Sequence, residues 1–329
     1  MKKRSIIAAV LMLTLMTGCF KNYDEVGLTD SNPAETTTEA AAGSDASSGT
    51  EVDPTEGSID PSDKVLPPVD INEWKITTER ENDVQQKILF EKEGSRFVGR
   101  LVLPDAAASR LPTVVILDYS PMMPNAFSYN KGTIDGITSN GMACILIEAF
   151  GSGDSIGTFE SLTFENVNEM LTVFYSNLEK IPEVDSSKTV LWVNSQATLF
   201  ALYAMQDKSD KVSAIFLPAP FYTDGALLRE HYPDRDKIPQ DSSYDFYLDQ
   251  MYDVDAEDFF KNIKTKVYVF LPDFEVPDAS EMYEKYTNYF PDKVYETVGK
   301  ESDYEKGIYK GQGPVFEKIV EDLKTVFGI

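Results

Sequence analysis

The chain has 329 residues, with 55 acidic against 30 basic side chains, one histidine and two cysteines, for a formal net charge of −25. That acid excess excludes nucleic acid as a partner, because a polyanion is bound through clustered Lys and Arg. One histidine and two widely separated cysteines exclude a Cys/His metal site, and no cofactor motif is present.

The chain opens with Lys2, Lys3 and Arg4, followed by an apolar run from Ile6 to Leu15 that is too short for a comfortable membrane span. Met16-Thr17-Gly18-Cys19 then places small residues before a cysteine. This arrangement resembles a bacterial lipoprotein signal, with Met16 where leucine is usual. The resemblance implies cleavage before Cys19, lipid attached to Cys19, and a protein tethered at the extracytoplasmic face of the cell membrane. An uncleaved membrane anchor is the alternative, with the same tethered outcome. Residues 20 to 66 are rich in Ser, Thr, Ala, Gly, Asp and Glu. Such a stretch cannot bury enough apolar surface to offset its ordering entropy, so it is expected to form a disordered stalk. Pro54, Pro61, Pro67 and Pro68 stiffen its end.

Residues 67–329 suit one α/β domain with a full core. Strands are expected over 74–78, 87–91 and 97–104, the last two joined across Glu93-Gly94-Ser95. The β-branched run 113–117 has the pattern of a strand buried on both faces. A helix over 125–139 stops at Asn140-Gly141, and strand 142–148 follows with Cys144 as a small buried core residue. Gly151-Ser152-Gly153-Asp154-Ser155 reads as a tight turn rather than a phosphate loop, since no glycine-lysine pair follows. A helix over 164–179 carries Val167, Met170, Leu171, Phe174 and Leu178 near helical spacing.

Next, Val190-Leu191-Trp192-Val193-Asn194-Ser195-Gln196-Ala197-Thr198 gives a strand, a turn carrying Ser195, and a helix. That is the layout of a nucleophile elbow, with Val193 and Ala197 in place of the usual glycines. Strand 212–217 leads into an insertion over 218–262, aromatic and acidic, with Phe221, Tyr222, Tyr232, Tyr244, Phe246, Tyr247, Tyr252, Phe259 and Phe260. These rings can stack on a sugar, hold an apolar ligand, or form a small core of the insertion itself. Strand 266–271, a helix from 279, strand 293–297 and a helix over 315–327 complete the chain. The pattern predicts an α/β fold with a mostly parallel sheet and helices on both faces.

Taken in order, the Gly151–Ser155 loop, the elbow at Ser195 and Leu271-Pro272-Asp273-Phe274-Glu275-Val276-Pro277 make residues 85–329 similar to the α/β-hydrolase family. The likeness is to its dienelactone-hydrolase and prolyl-oligopeptidase-like esterase branch. The resemblance implies Ser195 as nucleophile, Asp273 as the acid, and the 218–262 insertion as a lid over a small-molecule, glycan or protein ligand. The family histidine falls between the last strand and the last helix. Here that turn reads Val298-Gly299-Lys300-Glu301-Ser302-Asp303-Tyr304-Glu305-Lys306-Gly307, with Ser302 or Asp303 near its place.

Removing the base from such a triad costs on the order of a million-fold in turnover. Asp303, a carboxylate of pKa about 4, is a poor base for an alcohol. Lys300 and Lys306 are expected to be solvated, and His231, in the insertion, is the one imidazole available to reach down. After the preceding strand, Asp118-Tyr119-Ser120-Pro121 replaces the family's His-Gly oxyanion motif. Pro121 removes a donor there, and Asp118 is expected to oppose a developing oxyanion. Val193 is expected to relax the elbow. The sequence therefore points to a degenerate hydrolase domain serving as a binding or scaffold module. An active serine esterase using Ser195 is the alternative, and a solute-binding lipoprotein a further one.

Overall fold

The computed structural model describes residues 66 and 68–329, apart from 106–109, 120–124, 159–160, 219, 221–223, 239–247, 274–282 and 301–306; at His231 and Asp273 it describes the backbone only. The chain divides into the units Met1–Asp63 and Lys64–Ile329. The signal, Cys19 and the stalk up to residue 65 lie outside the described residues.

Nine strands form one sheet: β1 (Lys75–Arg80), β2 (Gln85–Lys92), β3 (Ser95–Val102), β4 (Leu111–Asp118), β5 (Ala143–Glu148), β6 (Val184–Asn194), β7 (Ala214–Leu217), β8 (Lys266–Asp273) and β9 (Lys293–Lys300). Their order is β1-β2-β3-β5-β4-β6-β7-β8-β9. Pairings from β1 to β5 are antiparallel, and those from β5 to β9 are parallel. Lys92 faces Ser95 across the first hairpin, so Glu93-Gly94 is its whole loop, and Gly94 takes a φ of 72° that a side chain would resist. The central strands β4, β5 and β6 are buried on both faces, as their Val, Ile and Leu content requires.

Helices α1 (Ala126–Tyr129), α2 (Lys131–Thr138), α3 (Phe164–Asn177), α4 (Ala197–Met205), α5 (Gly225–His231), α6 (Ala256–Phe260) and α7 (Gly313–Phe327) accompany the sheet, with single helical turns at 248–251, 283–287 and 307–310. On one face, Val114, Ile116, Trp192 and Phe216 pack against Ile134 and Ile137 of α2 and Phe316 and Ile319 of α7. Helices α3 and α4 pair on the other, where the Phe164 ring lies 4.6 Å from Phe200 and 4.8 Å from Tyr203.

The helix expected over 125–139 is two helices. Asn130 breaks it because its buried side-chain amide donates to Asp118 Oδ2 and to the Ala126 carbonyl, each at 3.0 Å. A side chain that bonds locally offers the backbone an alternative to continuing the helix. The strand expected from 212 begins at Ala214, since Val212 closes the turn after Ser209–Lys211 and Ser213 donates to Thr189 instead. Of the helix expected from 279, the described part is 283–287.

The Gly151–Ser155 turn is a charge clasp. Glu148, fully buried at the end of β5, accepts from Arg100 Nε and from the Asp154 N–H at 2.9 Å. Arg100 Nη2 and Lys87 Nζ each reach Asp154 Oδ2 at 2.7 Å, and Glu81 joins both cations. Gly153, at φ 56°, is obligatory here: a Cβ would stand 2.3 Å from the Glu148 carboxyl carbon.

Within the segment between β7 and β8, Asp224 is buried and caps α5. Its Oδ1 accepts from the Leu227 N–H at 3.1 Å and the Tyr286 hydroxyl at 2.7 Å, and its Oδ2 from the Ala256 N–H at 3.0 Å. Phe260 stacks on Phe290 at 4.5 Å, and Phe259 meets Tyr203 at 5.8 Å. These two rings therefore belong to the body of the domain rather than to a ligand platform. Phe221, Tyr222, Tyr244, Phe246 and Tyr247 lie outside the described residues.

Candidate functional site

Strands β4 and β6 are neighbours, yet the chain leaves β4 toward β5 and leaves β6 toward β7, so the connections diverge on opposite sides. Such a switch point opens a crevice outside the carboxyl ends of the strands, where ligands of open α/β sheets bind. Ser195 follows the last residue of β6 at that point. Its φ is 51°, and among the described residues it is the one non-glycine with a positive φ. It is half-buried.

An L-residue in this conformation carries about 1–2 kcal/mol of backbone strain. Something must hold it. Thr198 donates to the Ser195 carbonyl twice, from its N–H at 3.1 Å and from its hydroxyl at 2.7 Å, and Ser195 forms a parallel bridge with Pro220. Helix α4 is apolar on nearly every side and buried, which anchors the far end of the turn.

The elbow therefore survives without its glycines, against the expectation that Val193 relaxes it. Val193 pairs with Leu117 of β4 and is fully buried. Its side chain alternates away from Trp192 and Asn194 and into the helix layer, so its bulk does not enter the turn. Because the strain resides in the Ser195 backbone, Ser195→Gly should raise stability by about 1 kcal/mol in urea unfolding, whereas Ser195→Ala should leave it nearly unchanged.

Asp118 also differs from expectation. It is fully buried and faces the core rather than the site, sharing the β4 face of Val114 and Ile116. Its Oδ2 accepts from Asn194 Nδ2 at 3.3 Å as well as from Asn130, and Trp192 Nε1 donates to Asn194 Oδ1 at 3.0 Å. Burial pushes the Asp118 carboxyl above its ordinary value, against the hydrogen bonds from Asn130 and Asn194. This polar layer directly beneath the elbow is missing from the sequence reading. An Asn immediately before the elbow serine and an Asp ending an apolar strand were its only traces. The expected effect of Pro121 on the oxyanion site falls outside the described residues.

Topology brings Ser195, the start of the 119–124 connection, Asp273 and the end of β9 to one edge of the sheet. Asp273 ends β8, two strands from β6, and pairs in register with Lys300 after an irregularity at 271–273. Lys300 is exposed. His231 ends α5, in the segment that follows Pro220. Ser302, Asp303 and Lys306 lie outside the described residues. Cys144 is fully buried on β5, and desolvation drives its thiol pKa upward, which makes it an inert core residue.

No protein-family model matches the chain, and no curated protein matches it in sequence. Solved structures do. Est1E from Butyrivibrio proteoclasticus with ferulic acid bound is 16% identical over 72% of this chain and 96% of its own, with a TM-score of 0.53. The α/β hydrolase GrgF from Penicillium sp. is 15% identical over 74% of this chain and 99% of its own, also at 0.53. Acetyl xylan esterase 1 from Thermoanaerobacterium sp. is 12% identical over 78% and 87%, again at 0.53. The chain has the α/β-hydrolase fold.

Proposed function

We propose that this is a lipid-tethered extracytoplasmic protein whose hydrolase-fold domain works as a binding or scaffold module rather than as an efficient esterase. One observation carries the reading: the chain holds a single histidine, His231, and none in the turn 298–307 where the fold's general base belongs. Without an imidazole, a serine hydroxyl keeps its proton and remains a weak nucleophile. A ligand held at the mouth of the elbow, beneath a lid formed by part of 218–262, fits the placement of Ser195 at the switch point. The neighbouring structures suggest which probes to offer, namely ferulic acid and acetylated xylan.

A second reading is favoured by the strained φ of Ser195. Strain persists where the surrounding fold over-determines it and is often part of a mechanism. In that case Ser195 is a working nucleophile, with His231 as base and Asp273 behind it. A solute-binding lipoprotein is the weakest of the three, because one continuous sheet offers no hinge between two lobes.

Purified protein treated with a fluorophosphonate probe and assayed on p-nitrophenyl acetate separates these readings. The module reading expects no adduct at Ser195 and hydrolysis equal to that of Ser195→Ala. Labelling that disappears in both Ser195→Ala and His231→Ala would replace it with the esterase.

A further inference from the structure

A cavity of about 220 Å³ opens between the β2–β3 hairpin, the 150–157 loop and the first turns of α3. Lys92, Ser95, Ile156, Asn166 and Glu169 line it. It lies on the same edge of the sheet as Ser195, since Val98 near the start of β3 pairs with Glu148 at the end of β5. Strand β3 stands three places from β6, so the two sites are on the order of 15 Å apart.

The polar groups of this cavity are fixed in place yet keep bonding capacity. Buried Trp74 organises them. Its indole N–H donates to Glu169 Oε1 at 3.2 Å, while Lys92 Nζ bonds the same oxygen and lies 5.0 Å from the ring centre. The ion pair is set well into the surface, with 24% of the Lys92 side chain exposed and 23% of Glu169. Asn166 is held by its amide on the Ser161 carbonyl at 2.7 Å and by its N–H on the Thr163 hydroxyl at 3.2 Å. Among the described residues, nothing meets Glu169 Oε2, Asn166 Oδ1 or the Ser95 hydroxyl, and two of the three Lys92 donors stay open.

An apolar side chain stands beside them. Ile156 is 48% exposed although its loop is pinned, by its own N–H on the Arg96 carbonyl at 2.9 Å and by the Ser155 hydroxyl between the Glu148 carbonyl and the Val98 N–H. The other large apolar side chains in solvent, Ile71 and Ile329, lie near the ends of the described chain, where exposure is ordinary.

A carboxylate oxygen beside an ammonium matches a vicinal diol, which donates one hydroxyl to the first and offers an oxygen to the second. The pair sums to zero charge and so favours a neutral ligand, and the net charge of −25 further disfavours an anion. The volume falls below the roughly 300–1,000 Å³ of sites for drug-sized ligands, which suits a single ring. We propose that this cavity binds one neutral pyranose unit, its vicinal diol on Lys92 and Glu169 and its C–H face against Ile156. The site is separate from the elbow and stands whether or not Ser195 reacts or binds.

Saturation-transfer NMR of the purified protein with D-xylose, D-glucose and D-galactose, each titrated to about 100 mM, tests this, with glycerol as the open-chain control. At least one sugar should show saturable transfer, strongest at the C–H protons of one ring face, where glycerol shows none. Glu169→Gln should weaken that binding about tenfold, the effect of losing a charge-assisted hydrogen bond. Ile156→Ser, at an exposed position that folding does not need, should weaken it about threefold. Xylotriose identifies the source: tighter binding than xylose marks a residue of a glycan chain, and equal binding a free sugar. No saturable transfer from any of the three sugars, transfer that glycerol reproduces, or binding unchanged in both Glu169→Gln and Ile156→Ser would overturn the proposal.

Discussion

Arg100→Leu lowers the unfolding free energy by about 3–5 kcal/mol at neutral pH, since it strands a buried charge. Glu148 is fully buried and holds two contacts, Arg100 Nε and the Asp154 N–H. Removing the guanidinium leaves a carboxylate in the core with one backbone donor. Its desolvation is then largely uncompensated. Arg100 also covers the Phe127 ring at 5.2 Å, so some packing is lost with the charge. The double variant Arg100→Leu, Glu148→Leu should recover much of the loss, because a well-packed apolar pair often equals a buried ion pair.

Urea unfolding of the three proteins at pH 7 measures both effects; equal loss in single and double variants would show that packing, not charge, dominates. Asp154 adds a smaller pH dependence. The Lys87 hydrogen bond holds its carboxyl below the ordinary 3.8, burial opposes this, and the Arg100 charge assists. That contribution is present above 3.8 and is lost as pH falls through the depressed value, so the parent should be acid-labile in this corner. Asp154 is 44% exposed, and solvent screening keeps the contribution modest.

Gly311→Ala should cost about 2–5 kcal/mol, combining about 1–2 for a left-handed backbone with about 1–3 for overpacking. Gly311 has a φ of 63°, and a Cβ there would stand 1.9 Å from the Gly132 carbonyl oxygen. The facing side is also too close for a side chain, with a Cβ on Gly132 falling 2.4 Å from the Tyr309 carbonyl oxygen. Backbone meets backbone at this crossing, and neither partner can turn aside as a side chain would. Thermal unfolding, with near-ultraviolet dichroism of the Tyr129–Tyr309 pair at 4.4 Å, checks the expectation. A Tm within a degree of the parent would show that the 307–311 turn yields more easily than this contact implies.

Much of the architecture was legible because it rests on periodicity. Apolar, β-branched runs such as Thr113–Leu117 and Met142–Glu148 have the length and composition of strands buried on both faces, and the order of strands and helices along the chain then restricts the topology. The elbow was legible in its layout. Its persistence was not, because sequence shows that Val193 is bulky but not which face carries the bulk. Asn130 was hidden for a related reason: a polar residue inside a helical pattern breaks the helix only if a buried partner such as Asp118 lies within reach. The charge clasp of Arg100 and Glu148 joins residues 48 positions apart, and no local pattern announces it.

Asp224 bears on how an occupant exchanges. A swing of α5 away from α6 and the 283–287 turn would strip the Ala256 and Tyr286 donors from one buried carboxylate. That makes a hinged door costly on this flank, so traffic at the crevice should proceed through local breathing of short connections, on a timescale faster than domain opening.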